Sequence, residues 1–118
     1  MPQANTTITV RKPTSTVSII DIKGEINAAA ESKLTDAYAQ ATDGNVRLIV
    51  LNFKGVEYMN SSGIGLLVTL LIRANRQKQQ LVAVGLTDHY RNIFELTRLN
   101  EAIRLYATEA EALAEAGR

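Results

Sequence analysis

At 118 residues the chain has the length of one domain, able to bury roughly 65% of the surface it exposes unfolded. Hydrophobic residues make up 46% and charged residues 21%, a balance that argues against disorder. The formal net charge of +1 supplies no broad field for nucleic acid or an anionic membrane, and the absence of cysteine excludes disulfides and thiolate metal sites.

The first fifteen residues, Met1 to Ser15, are polar and lack the apolar core of a signal peptide. Ile8 and Val10 alternate with polar residues and predict a short edge strand, with a turn at Pro13, Thr14 and Ser15. Val17 to Ile22 predicts a second strand, and the adjacent Ile19 and Ile20 imply cover on both faces. Asn27 can cap a helix whose stripe is Ala30, Leu34, Ala37, Tyr38 and Ala41, closed by Asp43, Gly44 and Asn45. Arg47 to Leu51 is apolar and β-branched enough for a buried strand, and Asn52 to Met59 reads as the loop leaving it.

A helix then runs from Ser61 to about Gln77, with Ile64, Leu67, Val68 and Leu71 expected to face the sheet. Its longest apolar run, Ile64 to Ile72, contains Gly65 and Thr69 and is too short to span a bilayer. Leu81 to Val84 predicts a further buried strand. Thr87 or Asp88 caps a short helix in which Tyr90, Ile93, Phe94 and Thr97 share a face. Ile103 to Tyr106 predicts the last strand, and Thr108 caps a closing helix packed through Ala110, Leu113 and Ala114. Residues at either end, including Gly117 and Arg118, read as frayed. Strands alternating with helices imply an α/β sheet with right-handed crossovers.

The tetrad Asn60-Ser61-Ser62-Gly63 delivers two hydroxyls to the first turn of a helix. A helix start offers free N–H groups and a partial positive charge, which suit a phosphate. The same residues also serve as ordinary caps, so the tetrad alone leaves both readings open.

In its surroundings, Val56-Glu57-Tyr58-Met59-Asn60-Ser61-Ser62-Gly63-Ile64-Gly65-Leu66 resembles the signature of the STAS domain, as found in bacterial anti-sigma factor antagonists. Gly24-Glu25-Ile26-Asn27, Leu81 to Leu86, Phe94 to Thr97 and Ile103 to Leu113 resemble further segments of that family, in its order. The resemblance covers residues 7–115. It implies a single STAS domain over residues 1–118, with a mixed, mainly parallel β-sheet and packed α-helices; the lack of cysteine and of a signal-peptide core predicts a cytoplasmic location. It implies a partner-switching protein, not an enzyme, that binds an anti-sigma factor/serine kinase when unphosphorylated and so frees a sigma factor. Phosphorylation of Ser62, the second serine of the tetrad, would release that partner, and a serine phosphatase would reset the switch. Cofactors, metals, direct nucleic-acid contacts and membrane insertion are not expected. The alternative is a non-switching structural STAS subunit of a signalling scaffold or membrane-transport complex.

Asn27, Asn52 and Asn60 stand where the family usually has aspartate, and with Ser61 and Gly63 they are expected to flank the phosphosite. An amide keeps the geometry of a carboxylate cap but removes its charge. This is either an exchange among capping residues or the loss of a group that orients a hydroxyl. Gly63 and Gly65 either admit a kinase or let the helix pack closely. Leu66, Leu70 and Arg73 lie off the predicted core stripe, so they are either covered by another element or form a docking row for the partner.

Catalytic readings find little. His89 is the lone histidine and reads as a surface residue beside Asp88. Tyr58 and Asn60 occupy the positions where a nucleophile elbow needs glycine. No glycine-lysine spacing of a phosphate-binding loop occurs, and Glu109 and Glu111 belong to a solvated helix.

Overall fold

The computed structural model describes residues 5–116. Five strands form one sheet in the order β1-β2-β3-β4-β5: Thr6–Thr14, Val17–Ile26, Leu48–Met59, Gln80–Val84 and Arg104–Tyr106. β1 and β2 are antiparallel, as a two-residue connection requires, and every later pair is parallel and joined by a helical crossover. The helices are α1 (Glu31–Ala41), α2 (Ser61–Arg76), α3 (Asp88–Leu96) and α4 (Glu109–Glu115), with short 3₁₀ turns at Ala28–Ala30 and Leu99–Glu101. The mixed, mainly parallel sheet with packed helices is the architecture implied by the STAS resemblance.

Each face of the sheet carries its own core. Ile20, Ile22, Ile49, Leu51 and Ala83 face α1, α2 and α3, meeting Leu34, Tyr38, Leu67, Leu70 and Phe94. Ile19, Leu48, Val50, Val82 and Val84 face the other way, against Ala112 of α4 and Ala116 just past its end. Adjacent Ile19 and Ile20 are thus both fully buried, on opposite sides, as their runs without alternation predict. The expected α1 stripe, from Ala30 to Ala41, is buried throughout.

β2 runs on to Ile26, four residues past its expected end, and four further elements differ from expectation. β1 continues through Pro13, so the turn falls at Ser15 and Thr16. An edge strand tolerates a missing N–H, and the ladder shifts register between Arg11 and Thr14. The residues read as a loop after Leu51 instead extend β3 to Met59. Beyond Asn52, which still pairs with Val84 of β4, this extension pairs with β2 alone, through two irregularities that absorb the mismatch. In α4 the inward residues are Ala112 and Leu113, continued by Ala116 at its C-cap, while Ala110 and Ala114 are exposed.

The last difference is the phase of α2. Its buried row is Gly63, Leu67, Leu70 and Ala74, at offsets 0, 4, 7 and 11. Leu70 is 3% exposed and belongs to the core, not to a docking row, while Val68, expected inside, is 38% exposed. Leu66 and Arg73 are half-buried, with the Arg73 guanidinium 4.9 Å from the centre of the Tyr38 ring. The readings of residues 1–4, Gly117 and Arg118 as frayed ends lie outside the described residues.

Candidate functional site: the start of helix α2

β2 and β3 end together. Ile26 and Met59 are register partners, so Asn27 and Asn60 emerge side by side, each at the start of a helical segment. Asn60 has extended backbone, and its side-chain oxygen accepts the Gly63 N–H at 2.9 Å. Asn27 acts in the same way, accepting the Ala29 N–H at 2.9 Å. A carboxylate would cap as well, so capping by itself does not demand the amide at either place.

Gly63 explains how α2 meets the sheet. A Cβ on it would lie 2.3 Å from the Ile26 carbonyl oxygen, too close for any other residue without moving the helix. Close packing therefore accounts for Gly63. Gly65 is different: a Cβ there would meet nothing within 4 Å, and the residue is exposed. Its missing side chain leaves that stretch of the helix surface bare.

Ser61 and Ser62 are both exposed. The first turn of α2 carries no acidic residue, whereas Arg73 and Arg76 sit in its last turn. The positive end of the helix dipole thus meets solvent without a neutralising charge from its own turn. Successive helical residues advance about 100°, which divides the serines between two rows. Ser61 shares the outward row with Gly65, Val68 and Ile72, the last 48% exposed. Ser62 lies on the flank, in the row of Leu66, Thr69 and Arg73. Tyr58, 51% exposed, adds apolar surface just before the site.

Asn52 does not belong here. It lies eight residues before Asn60 along β3, roughly 25 Å for extended chain, on the face toward α4. There its Nδ2 donates to Asp21 at 2.7 Å while its oxygen accepts the Lys54 N–H at 3.0 Å. Asp21 also takes two bonds from Arg11, at 2.5 and 2.8 Å, and Arg11 reaches Glu109 at 2.7 Å. The Arg11 guanidinium holds the Asp21 carboxyl below the usual carboxylate range; burial opposes this and the Asn52 amide assists it. An open trough of about 460 Å³ lies over this network, lined by Thr9, Arg11, Asp21, Lys23, Asn52 and Lys54 among others.

Three interactions escaped sequence reasoning. Tyr90 of α3 is buried, and its hydroxyl accepts the Met59 N–H at 2.7 Å, directly before the capping Asn60. Tyr38 donates to Gln79 at 2.8 Å, tying α1 to the start of β4; burial pushes its phenol pKa up, opposed by Thr42 and the Arg73 charge. The third is the Arg11 network itself. All join residues distant in sequence, and only the period-two alternation that sets Arg11 and Asp21 on one face of β1 and β2 was visible beforehand. Among the described residues no three His, Cys, Asp or Glu side chains cluster as metal ligands would.

Fold and site together define a mixed-sheet α/β domain with a capped serine pair displayed at a strand-to-helix junction. The chain belongs to the STAS domain family, whose pattern it matches over residues 7–112. It is similar to the anti-sigma-B factor antagonist of Listeria monocytogenes serovar 1/2a, 33% identical over 94 residues, covering 78% of this chain and 81% of the relative. The crystal structure of an anti-sigma factor antagonist from Mycobacterium paratuberculosis shares the fold, with a TM-score of 0.83 at 22% identity, covering 98% of this chain and 97% of that one. The Bacillus cell fate determinant SpoIIAA in its phosphorylated form also shares it, with a TM-score of 0.67 at 23% identity, covering 93% and 99%.

Proposed function

We propose that this protein is an anti-sigma factor antagonist that works by phosphorylation-controlled partner switching. Unphosphorylated, it binds an anti-sigma factor that is also a serine kinase, and thereby frees the sigma factor. Transfer of phosphate to the serine pair weakens that complex, and a serine phosphatase restores it. ATP and the phosphoryl-transfer machinery belong to the partner; this chain supplies the acceptor hydroxyl and the surface around it. Its place of action is the cytoplasm. No helix among the described residues is long and apolar enough to cross a membrane.

The observation that carries this reading is the exposed Ser61-Ser62 pair at the Asn60-capped start of α2, next to the exposed row of Val68 and Ile72. A phosphate adds about −1.5 to −2 charges at pH 7, and a helix start accommodates them without refolding. The same charge beside an apolar docking row opposes burial of that row against a partner. The contact surface is therefore Ser61, Gly65, Val68 and Ile72, flanked by Leu66 and Arg73.

The resemblance assigns the acceptor to Ser62. The phase of α2 brings forward Ser61 as its competitor, because Ser61 lies nearer the middle of the outward face. Incubating wild type, Ser61→Ala, Ser62→Ala and the double variant with the cognate kinase and ATP separates them. Loss of incorporation in one single variant identifies the acceptor, and the double variant should accept no phosphate. Unlabelled wild type would instead favour the non-switching structural subunit. Full labelling of the double variant would move the switch elsewhere.

A further inference from the structure

We infer that Tyr90 is a positioning residue for the phosphate acceptor, holding the end of β3 so that α2 begins in a fixed place; this rests on the switching role proposed above. β4 ends at Val84, opposite Asn52, so the last seven residues of β3 have a strand neighbour on one side only. The Asn60 N–H turns toward β2 and donates to the Ile26 carbonyl at 3.2 Å. The Met59 N–H, one residue earlier, faces the opposite side, where β4 no longer runs. Met59 is buried, and an unpaired N–H there would be costly.

The Tyr90 hydroxyl, 2.7 Å away, is the acceptor that replaces the missing strand. Tyr90 is itself fixed. It lies in the first turn of α3, where its own N–H donates to the capping Thr87, and its ring packs edge-on against His89. A hydroxyl on α3 therefore pins the residue before the cap of α2, one bond from Asn60 and two from Ser61. Kinase-catalysed transfer depends on holding the acceptor in line with the donor phosphate, so a looser junction lowers turnover more than docking.

Tyr90→Phe removes the acceptor and keeps the ring. Amide exchange on the full chain should show Met59, Asn60 and Gly63 exchanging about tenfold faster, beyond any change shared by the core strands. Ile103→Val, a core change remote from the junction, controls for general destabilisation and should leave that excess absent. With the cognate kinase, Tyr90→Phe should lower kcat about tenfold while KM stays within about twofold. A uniform rise in exchange, matching the control, would overturn the positioning role. Local loosening with unchanged kcat would overturn its link to phosphate transfer. Should wild type accept no phosphate at all, the switching role fails, and the exchange pattern still decides whether Tyr90 holds the junction.

Discussion

At the scale of single residues, Asn52 shows what an amide does that a carboxylate cannot. It donates to Asp21 and accepts from Lys54 at once, which requires one nitrogen and one oxygen. An aspartate there would set two carboxylates about a hydrogen bond apart, and one of them would take a raised pKa. A carboxyl whose pKa is higher folded than unfolded costs nothing below the ordinary carboxylate value near 4, and stability is lost as pH rises from there through the raised folded value. Asn52→Asp should therefore match wild type near pH 3.5 and fall below it by about 1–2 kcal/mol at pH 7. Wild type runs in the opposite sense. Its Asp21 carboxyl is depressed, so that contribution is present above about pH 4 and lost as pH falls further. The pair itself is partly solvated at Arg11, and its contribution is at most about 1 kcal/mol. Denaturant melts across this pH range make the comparison, and parallel curves for the two proteins would contradict it.

Helix α2 carries the main lesson at the scale of elements. Apolar residues at positions 64, 66, 67, 68, 70, 71 and 72 surround most of its circumference, so periodicity leaves the inward face open. The small residues decide it. Gly63 and Ala74 sit at the two ends of the buried row, Gly63 hard against the Ile26 carbonyl, and Leu67 and Leu70 lie between them. Leu70→Ala should cost about 2–5 kcal/mol, and Val68→Ala should stay within about 0.5 kcal/mol, in thermal or chemical melts. The double change Val68→Asp and Ile72→Asp should leave the fold intact and weaken binding of the anti-sigma partner at least tenfold by calorimetry. Undiminished binding with a folded protein would remove this row from the docking surface.

For the molecule as a whole, the proposed switch is a change of surface and not of shape. Both serines are exposed, the core lies beneath the inward row of α2, and the helix start favours negative charge. Phosphorylated and unphosphorylated protein should therefore unfold within about 1 kcal/mol of each other. Their amide chemical shifts should differ around the start of α2 and remain alike in β1, β5 and α4. A shift spread across the whole sheet would instead indicate a rearrangement of the fold.

Residues near one another in the chain made most of this architecture readable: caps at Asn27, Asn60, Thr87 and Thr108, the α1 stripe, and adjacent buried isoleucines on β2. These are local choices, set by backbone hydrogen bonding and by periodicities of 3.6 and 2. The serine pair was legible for the same reason, being written in one contiguous stretch, and the family was legible in the order and spacing of several such stretches. Tertiary structure alone decided the rest. The extension of β3 exists because β2 continues beside it, and the phase of α2 follows from contact with the Ile26 carbonyl. The tie from Arg11 to Glu109 spans 98 positions, and the one from Met59 to Tyr90 spans 31. Such contacts depend on where the folded backbone places a lone donor or acceptor, and local patterning carries no record of that.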